Sequence, residues 1–221
     1  MNYLIEILYV LFISALAYAV LFCYEKNMGL KDMKINALLE GWKEYRLLLL
    51  VCLFLGVLVT VFMNIHMYTA LSTLNVLSFV ILMVPVAYVD LKKKLIPNQM
   101  LICMLIVKVV LLAFELFFQE TDLVNYMISS GISVLVFCGV FFLISLVFKN
   151  SIGMGDVKLF GVLSIYLGLY GTLHVLSYAL IITFFYACYL LITKKKDKKD
   201  EISFAPMVAL GMLACVMLGL L

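Results

Sequence analysis

The sequence predicts an all-α, polytopic integral membrane protein with about eight transmembrane helices, and three observations carry that prediction. The first is composition: of 221 residues, 67% are hydrophobic and 13% charged, against roughly 45–50% apolar and about 25% charged in an average soluble domain. One soluble core cannot bury that excess. The second is the recurrence of apolar stretches near the roughly 20 residues that a helix needs to cross the hydrocarbon layer, separated by short polar breaks. The third is the placement of the 16 basic residues, which collect in alternate connections.

Taken in order, the stretches lie near residues 3–24, 47–69, 71–90, 99–118, 126–148, 157–170, 172–192 and 204–220. The first reads as a retained span and not as a cleavable signal peptide. Its apolar run is too long, Glu6 stands where a basic start would be, and Cys23-Tyr24-Glu25 makes a poor cleavage site. Between the first two spans, residues 25–46 place Met33, Ala37, Leu38, Gly41, Trp42 and Tyr45 at roughly helical spacing with charges between them. This reads either as an amphipathic helix in the interface, with Trp42 and Tyr45 at headgroup depth, or as a linker with a chance stripe. The sixth stretch is short for a full crossing. The KKKDKKDE run from Lys194 reads as a solvated loop.

Orientation follows from the basic residues, because cytoplasmic loops carry the Lys and Arg excess. Lys26, Lys31, Lys34, Lys43 and Arg46 lie between the first two spans, and Lys92, Lys93 and Lys94 follow the third. Lys149 and Lys158 flank the fifth-to-sixth connection, and Lys194, Lys195, Lys196, Lys198 and Lys199 follow the seventh span. Fifteen of the sixteen thus fall on one side, and the opposite connections, around Ala70, over residues 119–122 and around Gly171, hold none. Both termini are predicted outside the cell membrane. The net charge of +3 then marks loops facing anionic lipid and gives no reason to invoke a nucleic-acid partner.

The six cysteines, Cys23, Cys52, Cys103, Cys138, Cys188 and Cys215, are dispersed among the predicted spans without a CxxC pair and read as small apolar packing residues. His66 and His174 lie toward the outer span ends with no local ligand partner, so no metal is expected.

Ionisable groups in or beside membrane spans are costly, which makes each a candidate for function. Glu6, Lys108 and Glu115 fall within spans; Asp90 and Asp156 fall at predicted cytoplasmic ends. Lys108 and Glu115, seven apart on one helix, share a face and read as a structural pair. Glu6, one turn from the outer surface, reads as a side chain that snorkels or meets water. Asp90 ends the third span before Lys92-Lys93-Lys94 and Pro97-Asn98, with Pro97 suited to the first turn of the fourth span. Asp156 lies in Gly153-Met154-Gly155-Asp156-Val157-Lys158, where two glycines allow close backbone approach and positive φ. Two carboxylates thus sit at one membrane depth.

Carboxylates that share a partly desolvated site cannot both ionise easily, so one stays protonated near neutral pH. Such a pair supplies a base to activate water and an acid to polarise a peptide carbonyl, with no acyl-enzyme. The pair titrates as a unit, and which member starts as which stays open. The plainer reading makes Asp156 a helix cap and Asp90 an inside-end charge neutralised by its lysines.

Three elements together resemble the type IV prepilin peptidases and the related preflagellin peptidases. They are Gly153-x-Gly155-Asp156 with Val157 and Lys158 following, Asp90 seven residues before Pro97-Asn98, and Phe204-Ala205-Pro206-Met207-Val208-Ala209-Leu210-Gly211, similar to a family pattern at the start of the last helix. The motifs cover residues 70–221, a six-helix aspartic peptidase core on this reading; residues 1–69, two helices and their connection, match only in general plan. The resemblance implies Asp90 and Asp156 as catalytic aspartates, with Gly153, Gly155, Lys158, Pro97 and Asn98 supporting the site. It implies cleavage, at the cytoplasmic face, of the basic leader of a prepilin or pseudopilin. Many members carry a CxxC-paired cysteine tetrad after the first helix and also methylate the new N-terminus. Residues 25–46 contain no cysteine, so no zinc is expected, and a use for S-adenosylmethionine stays open.

Two rivals remain at this level. Presenilin-type proteases also use Gly-x-Gly-Asp, but pair it with Tyr-Asp inside a helix, whereas Tyr88-Val89-Asp90 sits beside a Lys-rich turn. The other is a small transporter, which would be expected to hold its charges nearer the midplane, or a pilus-assembly subunit whose carboxylates are structural.

Overall fold

A computed structural model describes residues 2–26, 35–118, 123–147, 153–193 and 202–221. These residues form seven helices: α1 (Asn2–Glu25), α2 (Ile35–Ile65), α3 (Ala70–Lys93), α4 (Asn98–Phe117), α5 (Leu123–Val147), α6 (Met154–Ile192) and α7 (Ala205–Leu218). In lipid each backbone polar group needs an internal partner, and a helix supplies all of them within one apolar run. Six of the seven are long and apolar enough to cross a membrane, and α7 is a shorter apolar helix. The chain is therefore an all-α, multi-pass membrane protein.

The expected count of eight is not reproduced as eight separate helices. The stretches 157–170 and 172–192 both lie in α6, whose 39 residues would run about 58 Å if straight, roughly twice the hydrocarbon thickness. Gly168 breaks it: at φ 66° and ψ −164° its backbone leaves the helical region for one that is essentially open to glycine alone. The chain is helical on both sides of Gly168, with a kink between the two parts. At the other extreme, α2 begins at Ile35, so residues 35–46 are not a separate element but run straight into the helix whose apolar, membrane-length part is Tyr45–Ile65. Residues 27–34, the Trp42 side chain, Lys149, the connection 119–122 and the lysine run 194–199 lie outside what is described.

Helix α3 is the axis of the bundle. It packs against α1, α2, α4, α6 and α7, and 67% of its apolar window is buried, against 11% for α5. That contrast makes α5 the least buried of the six long helices. Pro85 lies inside α3 and has no N–H for the Ile81 carbonyl; the Cys52 thiol approaches that oxygen at 4.0 Å. Gly211 lets α7 lie against α6, since a Cβ there would stand 2.8 Å from the Ala179 nitrogen and 2.9 Å from the Val175 oxygen.

Polar contacts tie the helices at both ends of the bundle. At one end Asn64 donates to Glu6 at 3.0 Å, His66 bonds the Met217 carbonyl at 3.2 Å, and His174 bonds the Leu220 carbonyl at 2.8 Å. Glu6 is buried, 2% exposed, so it is not the snorkelling carboxylate expected. Lys108 and Glu115 do pair, at 3.4 Å, with Asn75 of α3 bonded to both. At the opposite end Tyr45 donates to Glu25 and Lys158 donates to Asn98 at 3.0 Å. Asp90 and Asp156 belong to this second end.

Candidate active site

The site is built where α3 ends, α4 and α6 begin, and α7 starts. Helix α3 stops at Lys94, whose left-handed backbone (φ 49°, ψ 43°) turns the chain and returns its N–H to the Asp90 carbonyl at 2.8 Å. Pro97 then caps α4 in extended conformation at φ −72° and ψ 126°, one position before the first-turn place expected for it. Together Lys94 and Pro97 fold the turn 94–97 back over the end of α3, which leaves Asp90 facing inward.

Asp156 arrives from the other direction. Gly153 is the N-cap of α6 at φ −68° and ψ 138°, an ordinary extended geometry, so the positive φ expected of these glycines is not used. Close approach is used. A Cβ on Gly155 would stand 3.0 Å from the Ile96 Cβ, so only a bare backbone lets α6 start against the α3–α4 turn. Asp156 accepts from the Gly153 backbone N–H, the geometry of an acidic residue in a first helical turn.

Both aspartates open onto one cleft of about 570 Å³, and Pro97, Asn98, Gly153, Gly155 and Lys158 line it with them. All seven residues named from the sequence therefore meet at one place. The two carboxylates are near enough to repel each other. Asp90 itself is 5% exposed. Its nearest partners are not the neighbouring lysines: Oδ2 accepts the Ala205 N–H at 3.0 Å, and Phe204 contributes a second backbone donor. The Ser203 hydroxyl donates to the Asp90 carbonyl at 3.1 Å. Asp90 thus sits at the positive end of α7, where unpaired N–H groups and the helix dipole favour an anion.

Sequence reasoning singled out Phe204–Gly211 as a motif without seeing this contact. The signal was there, since Pro206 in the first turn of α7 marks a helix start; nothing in the sequence says where that start docks. Tyr24, from the far end of α1, also lines the cleft, with Lys93 over its ring at 4.7 Å. Nothing local in the sequence marks Tyr24 out from the other twelve tyrosines.

Chemically, a pair of carboxylates in a half-closed cleft beside helix ends can hold a water between them and pass protons in both directions. No curated protein and no solved structure matches the chain. A family comparison does. Residues 77–188, which run from mid α3 to near the end of α6 and include both aspartates and the turn between α3 and α4, match the type IV leader peptidase family. The chain belongs to that family.

Proposed function

We propose that the protein is an intramembrane aspartic endopeptidase that removes the basic leader of prepilins or pilin-like proteins at the cytoplasmic face of the cell membrane. The single observation that carries this reading is that Asp90 and Asp156 face one cleft in a chain of a leader peptidase family. The peptidase core is residues 70–221, with the N-terminal pair of helices contributing Tyr24 to the cleft wall.

In the proposed reaction one carboxylate is ionised and its partner protonated. The ionised member takes a proton from water as the water oxygen bonds to the peptide carbon, while the protonated member gives its proton to the carbonyl oxygen. The tetrahedral adduct then collapses: one of its two hydroxyls returns its proton to the ionised carboxylate as the carbonyl re-forms, the C–N bond breaks, and the leaving nitrogen takes a proton from the pair. Two carboxylates and one proton return to the starting state. Lys158, held by Asn98, and the Gly155–Ile96 contact keep the second aspartate at its depth. The chemistry needs neither a metal nor S-adenosylmethionine.

A substrate with an apolar helix in the bilayer and a basic segment in the cytoplasm would present its junction at the depth of this cleft, which lies at helix ends and not at the midplane. The test is direct. Purified protein in liposomes is given a prepilin whose leader and helix are joined by a single candidate site, and the products are weighed by mass spectrometry. One cut at the leader–helix junction is the expected result. An intact substrate across a panel of prepilins and pseudopilins would overturn the proposal.

A further inference from the structure

At the end of the bundle remote from the aspartates lies a second cavity of about 360 Å³, and the peptidase chemistry makes no use of it. Its wall holds Asn75, Lys108 and Glu115 together with the rings of Tyr126 and Tyr166. The three polar residues are 8%, 2% and 6% exposed. Lys108 donates to Asn75 at 2.9 Å and to Glu115 at 3.4 Å, and Asn75 donates to Glu115. The Lys108 ammonium also lies 5.1 Å and 5.7 Å from the centroids of the Tyr126 and Tyr166 rings.

A buried ion pair is poor value as a mere brace, because apolar side chains of similar volume are often as stabilising or more so. In a membrane the cost is higher still, and such groups commonly mark a binding or transfer site. Two features give this one a ligand chemistry. An ammonium has three donors, and among the described residues Lys108 uses two of them on acceptors. Among the described residues the site is electrically balanced, one cation beside one anion, so a simple anion would meet Glu115 and a simple cation would meet Lys108. What fits is a group that carries both charges. The tyrosine hydroxyls do not compete, since each donates to a backbone carbonyl, Ile165 at 2.8 Å and Met104 at 2.7 Å.

We propose that this cavity binds a compact zwitterion, the headgroup of an aminophospholipid, with its anionic oxygen on Lys108 and its primary ammonium on Glu115. The place suits a lipid. The cavity opens beside Thr69 and Ser72, at the start of α3, and its lining includes the half-buried apolar Leu71 and Leu167, against which acyl chains can lie. Its volume equals that of about twelve waters at roughly 30 Å³ each, room for a headgroup but not for a chain. From Ser72 to Asp90 is 18 residues of α3, about 27 Å at helical rise, so the ligand touches no group of the proposed chemistry.

The experiment uses the full chain in detergent, delipidated and examined by native mass spectrometry. Phosphatidylethanolamine, phosphatidylglycerol and phosphatidylcholine of one acyl composition are titrated separately, and O-phosphorylethanolamine serves as the soluble competitor. One phosphatidylethanolamine per chain is expected, bound at least tenfold more tightly than phosphatidylglycerol, which lacks the ammonium, or phosphatidylcholine, whose quaternary nitrogen has no N–H for Glu115. Glu115→Gln should abolish that preference. Because breaking the ion pair can disturb folding, Ser72→Phe is made as well; it fills the half-buried mouth, leaves the pair intact, and should cut phosphatidylethanolamine binding at least tenfold. If O-phosphorylethanolamine binds one per chain as tightly as the lipid, the headgroup chemistry stands and the occupant is a soluble zwitterion. Equal binding of the three lipids, or undiminished binding of phosphatidylethanolamine by both variants, would overturn the proposal.

Discussion

Asp90 and Asp156 became legible before any geometry because charge is rare in this chain and each aspartate stands in a short string that explains its depth. Their helpers were legible to different degrees. Gly155 announces a close approach, and the structure supplies its partner, Ile96 at 3.0 Å from a notional Cβ. Ala205 announces nothing, because what it gives Asp90 is a backbone N–H, and a main-chain donor leaves no trace in residue identity. Gly155→Ala must move the start of α6 by a few tenths of an ångström or displace Ile96, which shifts Asp156 from its partner; misplacement of this kind can cost up to about a hundredfold. The expected outcome is a drop of roughly tenfold or more in kcat with KM little changed, measured by single-site prepilin cleavage. Lys158→Met removes the donor to Asn98 at 3.0 Å, a contact on the cleft wall worth about 1 kcal/mol; a fall of roughly fivefold in kcat/KM is expected, and an unchanged value would deny Lys158 any role.

Among the helices, apolar runs fixed where each span begins and ends to within a few residues, because a span needs one length and one polarity. What they could not reveal was continuity. The polar letters before Leu47 suggested an element separate from the second span, yet α2 runs on from Ile35. In α6 the apolar runs put a break around Gly171, and it lies three residues earlier, at Gly168 with φ 66°; Gly168-Leu169-Tyr170-Gly171 holds no proline and no charge to say which glycine turns.

 Backbone conformation of that kind is invisible in composition. Gly168→Ala should therefore be costly: the conformation is essentially closed to other residues, at about 1–3 kcal/mol, and the new methyl would stand 2.8 Å from the Ser129 hydroxyl. A lower thermal unfolding midpoint of the purified protein is the expected reading, and an unchanged midpoint would mean that the break does not depend on glycine. Gly211→Leu tests the other close contact. Its side chain would force α7 off the α6 backbone, and with α7 go the donors to Asp90. Loss of prepilin cleavage in the protein that still folds is expected, with folding checked by gel filtration.

The whole molecule is a bundle around α3 with one polar cluster at each end, and its sequence-level logic was the alternation of apolar runs with basic and non-basic connections. That alternation gave the class at once, since no soluble core accommodates so much apolar surface. It gave no hint of the Asn75–Lys108–Glu115 cluster as a cavity, because Asn75 joins the pair only through helix packing. The proposed orientation puts the aspartate end in the cytoplasm. Single cysteines replacing Met67 and Thr193, both exposed and at opposite ends of the bundle, in a chain whose own cysteines are changed to Ala or Ser, should label from opposite faces of intact cells, with Met67→Cys reached from outside. Labelling of both from outside would contradict the proposed sidedness.

The most direct test of the central claim, that Asp90 and Asp156 act as one acid–base pair, is the cleavage rate of Asp90→Asn, Asp156→Asn and the double variant on one prepilin substrate. Asn keeps the shape of Asp but neither takes a proton from water as a carboxylate does nor supplies a carboxylic proton. Each single variant should fold, by the same gel filtration profile as the parent, and lose cleavage by several orders of magnitude. The double variant should be scarcely worse than either, because residues that act as a unit are strongly non-additive. Glu6→Gln, at the other end of the bundle, should cleave at close to the parent rate. Processing by Asp90→Asn or Asp156→Asn at near the parent rate would contradict the claim.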